Sequence, residues 1–138
     1  MPYNSVPIYV RRPAIYSNTV IGSNTTKDLS TGTVTEPIFR SNTENGSYLD
    51  TIRVKSLGTC VQTVARIFFN DGGPTTVANN NSMISELTLP ATTKSEAVWT
   101  TDIVLPMKMA LPPSANIYVT LGTAVADGWA FTGIGGDY

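Results

Sequence analysis

The chain has 138 residues, of which 41% are hydrophobic and 14% are charged, and its formal net charge is −1 at pH 7. A domain of this length buries about two-thirds of its unfolded surface, so it needs neither a metal nor a disulfide to fold. The near-neutral charge argues against nucleic-acid binding, and the absence of histidine excludes Ser-His-Asp and Cys-His catalytic sites and the usual zinc sites.

Residues 1–32 predict an extended N-terminal arm followed by a polar loop. Pro2, Pro7 and Pro13 fix φ and favour extended backbone in the residues that precede them. The arm carries aromatic, aliphatic and basic side chains that form the candidate partner-binding set: Tyr3, Ile8, Tyr9, Arg11, Arg12 and Tyr16. Either the arm lies on its own domain as an edge strand, or it reaches a neighbouring subunit or a larger partner.

The basic pair Arg11 and Arg12 also has two interpretations. It is either a solvated surface pair or an anchor that binds an acidic surface of a partner through charge-assisted hydrogen bonds.

Residues 33–138 predict a series of short strands separated by turns. Residues 48–57 alternate, with Ile52 and Val54 on one face, whereas residues 64–70 are apolar almost throughout, as in a central strand. The other strands are predicted at 33–40, 84–89, 98–105, 107–111, 117–121 and 129–134. Asp127-Gly128 supplies turn chemistry and predicts a hairpin between the last two strands.

About seven or eight short strands without helical periodicity indicate a single-domain, all-β antiparallel sandwich or barrel. An immunoglobulin-like sandwich would have paired cysteines around a buried tryptophan, but Cys60 is the only cysteine. We therefore expect a jelly roll, with an arm and polar loop at 1–32, a β-sandwich domain at 33–138 and a buried Cys60 thiol.

The residues available for catalysis are few. The ten acidic residues are scattered singly, as solvated carboxylates are, and not paired as in glycoside hydrolases. Asn70-Asp71-Gly72-Gly73 lacks the alternating acids of a calcium loop and reads as a turn. We expect a protein that is not an enzyme and has no cofactor or metal.

Two further predictions concern tryptophan and the membrane. Trp99 and Trp129 could each stack on a sugar ring, but their apolar neighbours in strand patterns favour a place in the core. No apolar run approaches the roughly 20 residues that span a bilayer, and the N-terminus does not have the pattern of a signal peptide. We expect a soluble, unprocessed chain without membrane contact.

The C-terminal part of the chain contains two distinctive stretches. Residues 111–121 begin with Leu111-Pro112-Pro113, and residues 128–138 end with Gly135-Gly136-Asp137-Tyr138. They resemble the ending of small virion proteins of tailed bacteriophages, in which a proline-containing turn leads into a final hairpin. The resemblance is greatest to capsid cement or decoration proteins. It implies a jelly-roll or related β-sandwich domain that forms trimers on the outside of the head and clamps neighbouring major capsid proteins.

Three functional hypotheses follow. The first is a phage cement protein on the outer surface of the head, a homotrimer that binds the major capsid protein, with Tyr3, Ile8, Tyr9, Arg11 and Arg12 in contact with the shell or a neighbouring subunit. The second is a component of a phage tail or baseplate. The third is a carbohydrate-binding β-sandwich module with Trp99 or Trp129 in its site.

Overall fold

The structure, a computed structural model, describes residues 10–138, so Tyr3, Ile8 and Tyr9 of the predicted arm lie outside the described residues. The described chain is all-β, as the sequence predicts, and forms two antiparallel sheets of four strands each. The strands are β1 (Arg12–Val20), β2 (Phe39–Arg40), β3 (Ser47–Ser56), β4 (Thr63–Asn70), β5 (Asn81–Leu89), β6 (Asp102–Leu111), β7 (Asn116–Leu121) and β8 (Trp129–Asp137). Between β4 and β5 lies a 3-10 turn, Ala78–Asn80. None of the residues from 10 onward forms a helix long and apolar enough to cross a membrane.

The strand pairing is that of one long hairpin wound into a sandwich. β4 pairs with β5, β3 with β6, β2 with β7 and β1 with β8, so each strand meets the one equally distant from the β4–β5 turn. Further pairs, β8 with β3 and β7 with β4, join these ladders into sheets. The resulting order is β1-β8-β3-β6 in the first sheet and β2-β7-β4-β5 in the second. This is the eight-stranded jelly roll that we expected.

The core lies between the two sheets and is filled by alternate residues of each strand. In β3, Leu49, Ile52 and Val54 are fully buried, and a β-bulge after Leu49 accounts for the change in spacing. Trp129 and Phe131 of β8 are buried in the same cluster. Each such side chain contributes about 1.5–3 kcal/mol to stability by leaving water.

Two predicted connections differ from the observed ones. The predicted hairpin of the last two strands is wrong, because β7 belongs to the second sheet and β8 to the first. The turn at Gly128, whose φ is 92°, instead lets the chain cross between sheets. The strands predicted at 98–105 and 107–111 are one strand, β6. It continues through Pro106 because β6 is an edge strand, the position in a sheet that tolerates proline.

Residues 12–20 belong to the sandwich. β1 pairs with β8 from Arg12 opposite Asp137 to Val20 opposite Trp129, and it forms one edge of the first sheet. Its inward side chains include Ala14, which is buried in the core. For this segment the structure therefore matches the edge-strand interpretation of the arm, and the sandwich begins at β1 instead of after residue 32.

The polar loop at residues 21–38 crosses the outer face of the second sheet. It bridges to β7 at Ser23 and reaches the far edge, where Nδ2 of Asn81 in β5 donates a hydrogen bond to the Asp28 carbonyl at 2.7 Å. It then returns to β7, to which the Ile38 N–H donates. Since β4 lies between β7 and β5, the loop must pass over β4.

The burial of two apolar side chains outside the main core fits this path. Phe68 alternates with the core residues of β4 and so points outward, yet it is fully buried, as is Leu29 in the crossing loop. Both side chains lie outside the main core cluster. The loop thus covers an apolar patch that the outer face of the sheet would otherwise expose.

The glycines of β8 allow a close approach between backbones. A Cβ atom at Gly133 would lie 2.5 Å from the carbonyl oxygen of Ile38, which precedes β2, and 3.0 Å from the Cβ of Phe39 in β2 of the second sheet. A Cβ at Gly135 would clash with the Tyr48 carbonyl oxygen in the neighbouring strand. The glycine-rich C-terminal stretch is therefore a close-packed strand.

Replacing Gly133 by alanine should destabilise the protein by about 1–3 kcal/mol, because the added methyl group overpacks the space between the sheets. Gly22→Ala is the matched control, since a Cβ there would meet nothing within 4 Å. Urea unfolding monitored by circular dichroism measures both. Equal stability of the two variants would contradict the close approach at Gly133.

Candidate functional site

An open groove of about 410 Å³ lies at the end of the sandwich where β1 begins and β8 ends. We call it the basic groove. It is lined by Arg12, Tyr16, Arg40, Ser41, Asn42, Thr43, Ser114, Asn116 and Asp137. The groove gathers side chains from β1, β2, β7, β8 and two loops, which are brought together only by the rolled topology.

Two residues of the predicted partner-binding set line this groove. Arg12 Nη2 lies 3.3 Å from Asp137 Oδ2, opposite it in the β1–β8 ladder. The Tyr16 ring packs edge-on against Phe39, with 5.5 Å between ring centroids. Arg11 is exposed and does not line the groove, although its N–H donates to the Asp137 carbonyl at 2.8 Å.

Arg40 is the second arginine of the groove, and it is not in the predicted partner-binding set. It ends the two-residue strand β2, and its guanidinium pairs with Glu36, whose side chain is 76% exposed. Burial raises the pKa of the neighbouring Tyr118, and the positive charge of Arg40 partly offsets that rise. As a lone arginine before a polar turn, Arg40 carries no local signal that would have marked it.

At the other end of the strands, the loop at residues 90–101 between β5 and β6 presents an exposed tryptophan. Trp99 is 81% exposed and the adjacent Val98 is 65% exposed. The Lys55 ammonium lies 5.9 Å from the centre of the indole ring, within reach of a cation–π interaction. We call this segment the Trp99 loop.

Hydrogen bonds hold the Trp99 loop against the end of β3. Thr92 Oγ1 donates to the Gly58 carbonyl at 2.6 Å, and Thr100 Oγ1 donates to the Ser56 carbonyl at 2.9 Å. Lys55 Nζ donates to the Thr100 carbonyl at 2.7 Å. The tryptophan is therefore displayed on a loop that is anchored at both ends.

The two tryptophans differ in burial. Trp129 is fully buried, as expected, but the expectation of a core position for Trp99 is wrong. The alternation of apolar and polar residues begins at residue 98, before the true start of β6 at Asp102. Periodicity alone therefore predicts a strand that begins too early. Cys60 is buried, as predicted, in an isolated bridge to Thr92.

A third surface is the side of the sandwich where the edge strands β5 and β6 face each other. We call it the open side. The inward apolar side chains of β6 are only half-buried there: Ile103, Leu105, Met107 and Met109. On β5, Leu87 is also only half-buried against the core. This side has apolar surface that a further contact would bury.

The predicted turn at residues 70–73 is present and is closed by its own side chains. Asn70 Oδ1 accepts a hydrogen bond from the Gly72 N–H at 2.8 Å, and Asp71 Oδ1 accepts one from the Gly73 N–H at 2.9 Å. Within residues 10–138, no three or more cysteine or acidic side chains cluster as metal ligands do.

Comparisons with known proteins give little guidance. No family model matches the chain, and no curated protein matches it. Among solved structures, a chain from the crystal structure of the T13 IBDV viral particle is similar, with a TM-score of 0.31 and 11% identity. The alignment covers 97% of this chain and 36% of that one. A likeness at this TM-score carries no argument about function.

The two tryptophans should respond very differently to substitution. Trp129→Ala is expected to cost about 3–5 kcal/mol, because it empties a packed core position. Trp99→Ala should change stability by less than about 0.5 kcal/mol, because the side chain is exposed. Urea unfolding followed by circular dichroism compares the two variants, and a loss above 2 kcal/mol for Trp99→Ala would contradict the exposed position.

Proposed function

We propose that this protein is a non-enzymatic structural protein of a viral particle. In the finer form of the proposal it is a phage capsid cement or decoration protein, which binds the major capsid protein on the outer surface of the head and stabilises the lattice. The single observation that carries the proposal is the jelly-roll strand order.

The jelly roll serves chiefly in viral capsid proteins, lectins and cupins. Cupins typically hold a metal through histidines, and this chain has none. The other two uses, viral shell proteins and carbohydrate-binding proteins, fit a chain without histidine. The step from fold to function is an analogy, and the resemblance of the C-terminal stretches to phage cement proteins favours the first class.

The N-terminal segment fits a role in shell binding. β1 begins beside the basic groove, so residues 1–9 join the domain at this end of the sandwich. That segment supplies Tyr3, Ile8 and Tyr9, whose side chains favour burial against a partner. An extended segment adds many contacts without a large globular interface.

The open side suits self-association. Burial of its half-buried leucines, methionines and isoleucine in a copy of the same chain would remove apolar surface from water. A homotrimer is the assembly that the resemblance implies, and we include it in the proposal.

Carbohydrate binding is the second candidate, and the exposure of Trp99 favours it. An open surface pocket lined by Trp99, Thr100, Thr101 and Asp102 combines an aromatic face with polar groups that can bind sugar hydroxyls. A change in tryptophan fluorescence with some member of a broad glycan panel, absent in Trp99→Ala, would support it. A role in a phage tail or baseplate remains the alternative within the viral class.

Removing residues 1–9 should abolish binding to shells that lack this protein and leave the domain folded. A longer truncation, to residue 16, would remove half of β1 and expose the neighbouring edge of β8, so it would confuse loss of folding with loss of binding. Co-sedimentation with purified shells measures binding, and circular dichroism checks the fold.

The substitutions Tyr3→Ala, Ile8→Ala and Tyr9→Ala in the full-length chain are the finer control, because they leave the backbone intact. Each should weaken co-sedimentation. We expect the full-length protein to bind the shells at a fixed stoichiometry. We also expect more of the shells to survive heating when it is bound. Undiminished binding of the truncated protein would show that residues 1–9 do not hold it on the shell.

A further inference from the structure

The basic groove contains a buried hydroxyl that has no partner in the described part of the chain. Ser41 is only 6% exposed, and its Oγ makes no hydrogen bond with any residue that the structure describes. Its backbone N–H is engaged, since it donates to the Ala115 carbonyl at 2.8 Å. A buried hydroxyl without a partner destabilises the folded state, so its presence in a groove points to a bound group.

The two guanidinium groups of the groove also retain unused donors. Arg12 uses one nitrogen for a single contact with Asp137, and its side chain is 74% exposed. Arg40 pairs with Glu36 and is 51% exposed. Each guanidinium has five N–H donors in a fork that fits a carboxylate. Both can therefore donate hydrogen bonds to a second carboxylate.

The acids near the groove do not use up this capacity. Asp137 Oδ1 already accepts a hydrogen bond from Ser47 Oγ at 2.6 Å, while Oδ2 faces Arg12. Glu36 is solvated, and an exposed ion pair of this kind is weak enough to be exchanged. The two guanidinium groups therefore keep N–H donors that these two carboxylates do not occupy.

We propose that the basic groove binds a carboxylate side chain of the shell protein, held by Arg40 and Arg12 with Ser41 Oγ donating to one carboxylate oxygen. The inference rests on the proposed function for the identity of the partner, but the carboxylate chemistry follows from the groove alone. The Tyr16 ring, fixed against Phe39, forms the wall along which the methylene groups of an aspartate or glutamate would lie.

The test compares two arginines that are equally exposed. Arg40→Gln removes a groove guanidinium, and Arg53→Gln removes a guanidinium that is also 51% exposed and paired with one carboxylate, Asp102, but lies outside the groove. Arg40→Gln should weaken co-sedimentation with shells about tenfold or more, because charge-assisted hydrogen bonds are lost. Arg53→Gln should change it less than about twofold.

Ser41→Ala separates binding from folding. It removes a buried hydroxyl that has no partner among residues 10–138, so the urea midpoint should stay the same or rise while shell binding weakens. A lower midpoint together with unchanged binding would mean that the hydroxyl serves the fold, and would remove Ser41 from the proposed site. Arg12→Gln is the substitute if Arg40→Gln fails to fold.

A peptide probe tests carboxylate binding by the groove without shells, so failure of the groove proposal can be told apart from failure of the proposed shell-binding function. A peptide of six glutamates should shift the amide resonances of residues 40–43 in nuclear magnetic resonance spectra, and a peptide of six glutamines should not. If the wild type ignores shells but shows this shift, and Arg40→Gln abolishes it, the shell-binding function fails and the groove chemistry stands. No shift with the glutamate peptide, together with equal shell binding of Arg40→Gln and Arg53→Gln, would overturn the groove proposal.

The carboxylate could also come from a second copy of this chain. Sedimentation velocity distinguishes the sources. A wild-type oligomer that becomes monomeric in Arg40→Gln would assign the carboxylate to the neighbouring copy and overturn its assignment to the shell. An unchanged oligomeric state, with shell binding lost, is the expected result.

Discussion

The pairing of β8 between β1 and β3 is the interaction on which the rest of the structure depends. It closes the roll by joining residues at opposite ends of the described chain, with Arg12 opposite Asp137. It also places Trp129 and Phe131 in the core. The glycines of β8 allow it to lie between β1 and β3. A larger residue at Gly133 would meet the backbone at Ile38, next to β2 of the facing sheet. Without β8, β1 would have no partner in the first sheet.

The same closure builds the surface to which we assign binding. The basic groove lies where β1 begins and β8 ends, and the second sheet contributes Arg40. The described chain begins at Val10, two residues before β1, so we assign partner contacts of the preceding segment to the same end of the sandwich as part of the proposal. The Trp99 loop precedes β6 at the far end of the strands, where Asp102 is opposite Lys55. The two surfaces are therefore at opposite ends of the sandwich, so substitutions can test the two proposed functions separately.

The sequence was sufficient for the architecture but not for the long-range partners. Alternation in β3 and the turn signals revealed strands and hence a sandwich, since period-2 patterning reports burial on one face. Local patterns do not identify the sheet to which a strand belongs, so β7 and β8 were wrongly joined as a hairpin. Polar residues at 17–19 hid the alternation of β1. In the groove, Arg12 and Tyr16 were predicted from the arm, whereas Arg40 and Ser41 become neighbours of Arg12 only through the rolled topology.

The central claim is that the protein binds a viral shell through the end of the sandwich where β1 begins. Electron cryomicroscopy of shells reconstituted with the protein tests this most directly, because a jelly roll of known strand order can be oriented in the density. We predict ordered density with the basic groove and residues 1–9 against the shell and the Trp99 loop directed outward. Density in which the Trp99 loop faces the shell and the groove faces solvent, or no density at all, would contradict the claim.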